Sequence, residues 1–107
     1  IASIVAERLI NPSITAFLQL PDNYEIAEIK APKRIVNRTL ADIQLVEKYS
    51  LSLITLKRIF EEEVNGEITK EEHILGVLKE ETIVYDTDTL VVFGTLDNVK
   101  KFIEINV

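Results

Sequence analysis

The chain has 107 residues, 47% of them apolar, with three glycines, three prolines and no cysteine. That describes one domain with a real core, and it excludes a disulfide framework, a thiolate metal site and a cysteine nucleophile. Eighteen acidic and twelve basic side chains give a net charge of −6, which disfavours nucleic acid as a partner, and no apolar run is long enough to span a bilayer.

Ile1, Ile4, Val5, Leu9 and Ile10 recur at helical spacing, and Asn11 and Pro12 end that pattern. Ser13 is placed to cap a second short helix over residues 14–20, closed by Pro21, Asp22 and Asn23. Residues 1–21 therefore read as a connector of two helices, with Ile4, Val5, Ile14, Phe17 and Leu18 left for a partner to cover. The chain starts without Met inside a helical pattern, so it reads as a piece of something longer. Residues 24–31 are strand-like by composition and are closed by Pro32.

Residues 39–58 carry the main signal, a capped helix that runs straight into a strand. Thr39 with Asp42 makes a capping-box-like pair, and Leu40, Ile43 and Val46 recur every three residues beside Leu45 and Tyr49. From Leu51 the pattern turns leucine-rich and β-branched. Apart from Ser52 and Thr55 this strand is apolar on both faces, so each face needs cover. One small core supplies one cover; the second face is predicted to meet another subunit.

Asn65 and Gly66 form the strongest turn signal, since both central positions of a type I′ turn require positive φ. They predict a hairpin of two long strands, residues 51–64 and 67–78, whose outer half is acidic. A loop over 79–88, a buried strand over 89–95 and a helix capped by Asp97, with Val99, Phe102 and Ile103 on one face, complete the chain. The expected architecture is α+β: a mainly antiparallel sheet of about four strands, two helices packed on it, and the helix pair in front.

Little in the sequence supports catalysis. His73 is the one histidine, and in a strand Glu72 points away from it, so an edge-strand residue is the better account than a metal ligand. Glu61, Glu62, Glu63, Glu67, Glu71 and Glu72 lack any calcium-loop spacing and read as a solvated hairpin that resists edge pairing. Ser13, Ser50 and Ser52 have no nucleophile motif around them, and Gly94 stands alone after Val91, Val92 and Phe93, without a phosphate-binding glycine pattern. Lys57 and Arg58 are a solvated strand end or an anion contact.

The run TLADIQLVEKYSLSLITLKR resembles the T-L-x-E-L-D-L-R-x-K-Y-G-V-N-V-V-A-I-K-R segment of the C-terminal RCK domain, also called the TrkA C-terminal domain. Residues 24–29 resemble that family's opening strand, and residues 72–77 with 82–84 resemble the stretch before its E-G-D-x-L-V-V-F-G strand, here Asp86 to Gly94. Residues 96–102 resemble its closing helix. The resemblance covers about residues 23–105, and residues 1–20 are similar to the crossover helices that follow an upstream nucleotide-binding RCK domain.

The resemblance implies a non-enzymatic regulatory domain over 22–107, cytoplasmic at the inner face of the cell membrane. Its implied partners are a second copy of itself, the upstream RCK domain and a membrane potassium transporter subunit, with no nucleic acid and no direct insertion into the membrane. It implies a Trk/Ktr-type potassium uptake system, with a cation/proton antiporter or potassium channel as the neighbouring alternatives. Some such domains bind cyclic di-AMP at the dimer interface. Carried over by position, the family's Asp is Gln44 here, its Arg is Val46, its Gly is Ser50 and its Asn is Ser52, while Leu45 and Leu53 keep the apolar character. Gln44, Leu45, Val46, Ser52 and Leu53 are the candidate ligand pocket, no metal or catalytic residue is assigned, and cyclic di-AMP is the candidate ligand. Loss of the Arg removes a planar donor suited to phosphate. Plain dimer packing is the competing account of the five, and a purely structural oligomerisation domain or an amino-acid sensor the competing account of the whole.

Overall fold

The computed structural model describes residues 13–107. Five strands form one antiparallel sheet in the order β1-β2-β5-β3-β4, where β1 is Ile14–Gln19, β2 Tyr24–Lys30, β3 Ser52–Val64, β4 Glu67–Ile74 and β5 Thr89–Thr95. Short helices α1 (Leu40–Ile43) and α2 (Leu45–Tyr49) precede β3, and α3 (Leu96–Ile105) closes the chain. The architecture is α+β, as expected, with five strands where about four were expected.

The extra strand is β1. Residues 14–20 were expected as a helix, but Ile14–Gln19 pairs antiparallel with β2, from Ile14 opposite Ile29 to Gln19 opposite Glu25. A short run holding Ile14, Thr15 and Phe17 suits a half-buried strand as well as a helix, and an open sheet edge decides the matter. The helix expected over residues 1–10 lies outside the described residues.

One face of the sheet holds the core. Ala27 and Ile29 of β2, Leu90 and Val92 of β5 and Leu56 of β3 are fully buried against Val99 and Phe102 of α3, with Ile35, Ile43 and Leu51 closing the edges. The α3 stripe Val99, Phe102, Ile103 is buried as its spacing requires. Its cap is Thr95, whose Oγ1 accepts from the Asn98 N–H at 3.3 Å, and not Asp97, which sits in the first turn. The cap residue needs extended backbone, and Thr95 is the last residue of β5.

The expectation of a two-faced β3 is corrected by a bulge. Leu53 pairs with Val92 and Thr55 with Val91, so Ile54 is an extra residue in the ladder. The bulge shifts the alternation by one, so Leu53 before it and Leu56 after it both face the core. Leucines of both parities thus serve a single face, and Ile54, the extra residue, is left half-exposed. The opposite face carries the stacked rings of Tyr24 and Phe93, 5.2 Å apart, and a 2.8 Å ion pair between Lys57 and Glu28. Hydrogen bonding to Glu28 holds the Lys57 ammonium above its ordinary range.

The Asn65–Gly66 turn forms as expected, with φ of 54° and 81°. Strand β4 stops at Ile74, short of the expected residue 78. Gly76 has φ 82°, and its carbonyl accepts from Thr55 Oγ1 at 2.7 Å, which turns the chain off the sheet.

Candidate functional site

The helix of residues 40–49 is interrupted. Thr39 caps it as expected, its Oγ1 accepting from the Asp42 N–H at 3.2 Å, while the Asp42 carboxylate pairs with Arg38 instead of returning to the cap. Gln44 then takes left-handed backbone, φ 56° and ψ 55°, which ends α1 and starts α2 on a new axis. Ser50 is left-handed too, φ 55°, at the turn into β3. Glycine is the residue best suited to that position, which accounts for the glycine of the resembled segment where this chain has Ser50.

The loop between β4 and β5 folds back against α1. Leu40 and Ala41 are first-turn residues whose N–H groups have no partner within the helix, and they donate to the carbonyls of Thr82 and Glu80, each at 3.0 Å. Asn37 N–H donates to the Val84 carbonyl and Val84 N–H to that of Arg38, at 2.7 and 3.0 Å. The loop's other end is held by Arg58, whose Nε and Nη2 donate to the two Asp88 carboxylate oxygens, both at 2.8 Å. That hydrogen-bonded pair drives the Arg58 guanidinium above its already high ordinary value. Lys57 and Arg58, expected as a solvated strand end or an anion contact, are both held in ion pairs.

Between these elements lies a cleft of about 550 Å³, bounded by α1 and α2, the first residues of β3, and residues 77–80 of the loop. All five candidate residues line it: Gln44, Leu45, Val46, Ser52 and Leu53. Leu45 is a floor residue, buried into the core, and Val46 stands at the rim with 63% of its surface exposed. Sequence reasoning missed the facing wall, Val77, Leu78, Lys79 and Glu80. No local pattern marks it, because contacts between residues distant in sequence, the backbone bonds to α1 among them, bring it there.

The lining offers Gln44 and Ser52 as neutral hydrogen-bonding groups, Glu47 and Glu80 as carboxylates and Lys79 as its single cation. Such a mixture suits a small polar ligand with an apolar body. Ser52 is the only hydroxyl of the lining, and His73 is far along the β3–β4 hairpin, bonded to Glu71 at 3.1 Å and packed on Phe60. Among the described residues no three His, Asp or Glu side chains are grouped to hold a metal ion, and no helix is long and apolar enough to cross a membrane.

No family model matches the chain. Among solved structures it resembles the GsuK RCK domain, with a TM-score of 0.57 and 18% identity over 88% of this chain and 19% of that one. The fold is that of an RCK domain. Among curated proteins the chain is 24% identical, over 101 residues, to Ktr system potassium uptake protein C of Bacillus subtilis (strain 168). That likeness runs through 94% of this chain and supports the C-terminal RCK domain that the sequence resembles. The chain spans 40% of the length of that relative.

Proposed function

We propose that this chain is the regulatory C-terminal domain of a Trk/Ktr-type potassium uptake system, working at the cytoplasmic face of the membrane. Copies pair, and a small ligand in the cleft favours one arrangement of the pair over another, which a membrane transporter subunit reads. The observation that carries this reading is the gathering of all five candidate residues on one cleft, opposite the wall of residues 77–80. The likeness to a potassium uptake protein supplies the transport system. Cyclic di-AMP is the ligand proposed first, with Gln44 and Ser52 bonding its base edges and Lys79 facing its phosphates.

A purely structural oligomerisation domain is the second reading, and Val46 favours it. That residue stands where the resembled segment has Arg, and it leaves Lys79 as the lining's one cation. Calorimetric titration of the 107-residue chain with cyclic di-AMP, repeated with Val46→Arg, separates the two. Saturable binding that Ser52→Ala weakens and Val46→Arg strengthens supports the sensor. No heat with either protein favours the structural reading.

A further inference from the structure

Beyond Lys57, strand β3 has left β5 and pairs with β4 alone. The two strands continue for about 20 Å as a bare ribbon, by the rise of an extended chain. Every residue of that ribbon from Ile59 onward is exposed, including Ile59, Phe60, Val64, Ile68 and Ile74. A lone two-stranded hairpin in water is marginal, and apolar side chains spread along it gain stability from a surface to lie on. The ribbon also holds nearly all of the chain's net charge. Residues 59–73 contain six glutamates and one lysine, a net of −5 out of −6, so the other 92 residues are close to neutral.

A complementary surface lies on the same molecule. Thr89 of β5 pairs with Lys57 on one side and with Lys30 on the other, so the ribbon and the loop after β2 leave the sheet at the same end. Lys30 at the end of β2 and Lys33 and Arg34 in that loop are all exposed, and none is in an ion pair among the described residues. Beside it is a hollow of about 190 Å³ lined by Lys30, Lys33, Pro32, Ile103 and Val107. The ribbon is two strands away from its own basic loop, about 10 Å at ordinary strand spacing.

We infer that two copies of this chain exchange their β3–β4 ribbons, the acidic ribbon of each lying against the Lys30–Lys33–Arg34 end of the other. A two-fold axis at the shared end of the two sheets makes both contacts at once and closes the assembly at two, where a one-sided contact would propagate. The ribbon's glutamates meet the three cations, and an apolar side chain near its tip, Val64 or Ile68, fills the hollow. The inference rests on the pairing proposed above and states which surfaces meet.

The test uses two variants of the 107-residue chain, E61K/E63K/E71K on the ribbon and K30E/K33E/R34E on the loop, with mass measured by light scattering after size exclusion. Circular dichroism establishes that both are folded. Each variant alone places like charge on like charge, and its dimer dissociation constant is expected to rise at least about tenfold. Mixed in equal amounts they present opposite charges at both contacts, and a dimer containing one of each is expected to return. A dimer of the unmodified chain that ignores both charge reversals, or a mixture that stays monomeric, overturns the ribbon exchange while leaving pairing by another surface in place. An unmodified chain that is monomeric at every concentration overturns the exchange and the pairing together.

Discussion

Arg58 and Asp88 face one another with two parallel hydrogen bonds of 2.8 Å, and the Asp88 side chain is fully buried. The same guanidinium lies 3.8 Å from the centre of the Tyr85 ring and donates to the Ile83 carbonyl at 3.0 Å, while Asp88 also accepts the Tyr85 N–H at 2.8 Å. One arginine on the sheet thus organises the end of the loop whose other part walls the cleft.

Asp88→Ala leaves that arginine without its counter-charge in a mostly buried place and removes the acceptor for Tyr85. The expected loss is about 3–5 kcal/mol of unfolding free energy in urea. Arg58→Met with Asp88→Ala is expected to cost less than the sum of the two single changes, because neither charge is then left alone. The sign with pH follows from the raised Arg58 value. A cation whose folded value is raised contributes fully below its unfolded value, so this contribution stays constant from neutral pH to the upper alkaline range.

Ser50 carries left-handed backbone with a side chain that disfavours it. Ser50→Gly is expected to raise stability by up to about 1 kcal/mol, and Ser50→Val to lower it by more than that, in thermal or urea unfolding.

Capping separates the roles of Thr95 and Asp97 at the start of α3. Thr95→Ala is expected to cost about 1 kcal/mol, since it removes the acceptor of the Asn98 N–H. Asp97→Ala removes only a favourable charge near the helix start and is expected to cost half of that or less.

Gly94 lies where a Cβ atom would come within 2.5 Å of Leu51 Cδ2 and 3.4 Å of the Ser50 carbonyl oxygen. Leu51 is 1% exposed and has little room to turn away. Gly94→Ala is expected to destabilise by about 1–3 kcal/mol, as crowding of a packed core does. Pairing it with Leu51→Ala, which vacates the clash, is expected to recover part of what Gly94→Ala costs.

Much of this protein is decided locally. Thr39 before an apolar stripe, Asn65 and Gly66 between two strand-like runs, and the apolar β5 segment each specify their element through backbone preference and periodicity, and all three form where the sequence places them. The same segment, 39–58, contains the five residues that meet on the cleft, so one side of the site is legible in sequence. Tertiary structure decides the remainder. Residues 14–19 become a strand because β2 has an open edge to satisfy, and backbone hydrogen bonding there outweighs a weak helical pattern. The bulge at Ile54 turns an apparently two-faced strand into a one-faced one, which no alternation count can reveal. Gly76 and the Arg58–Asp88 pair bend the loop back onto α1, so the second wall of the cleft depends on contacts between residues far apart in sequence, such as Ala41 with Glu80 and Arg58 with Asp88. Local energies choose the helices and turns; the pairing of edges, bulges and buried charges chooses which of them face each other.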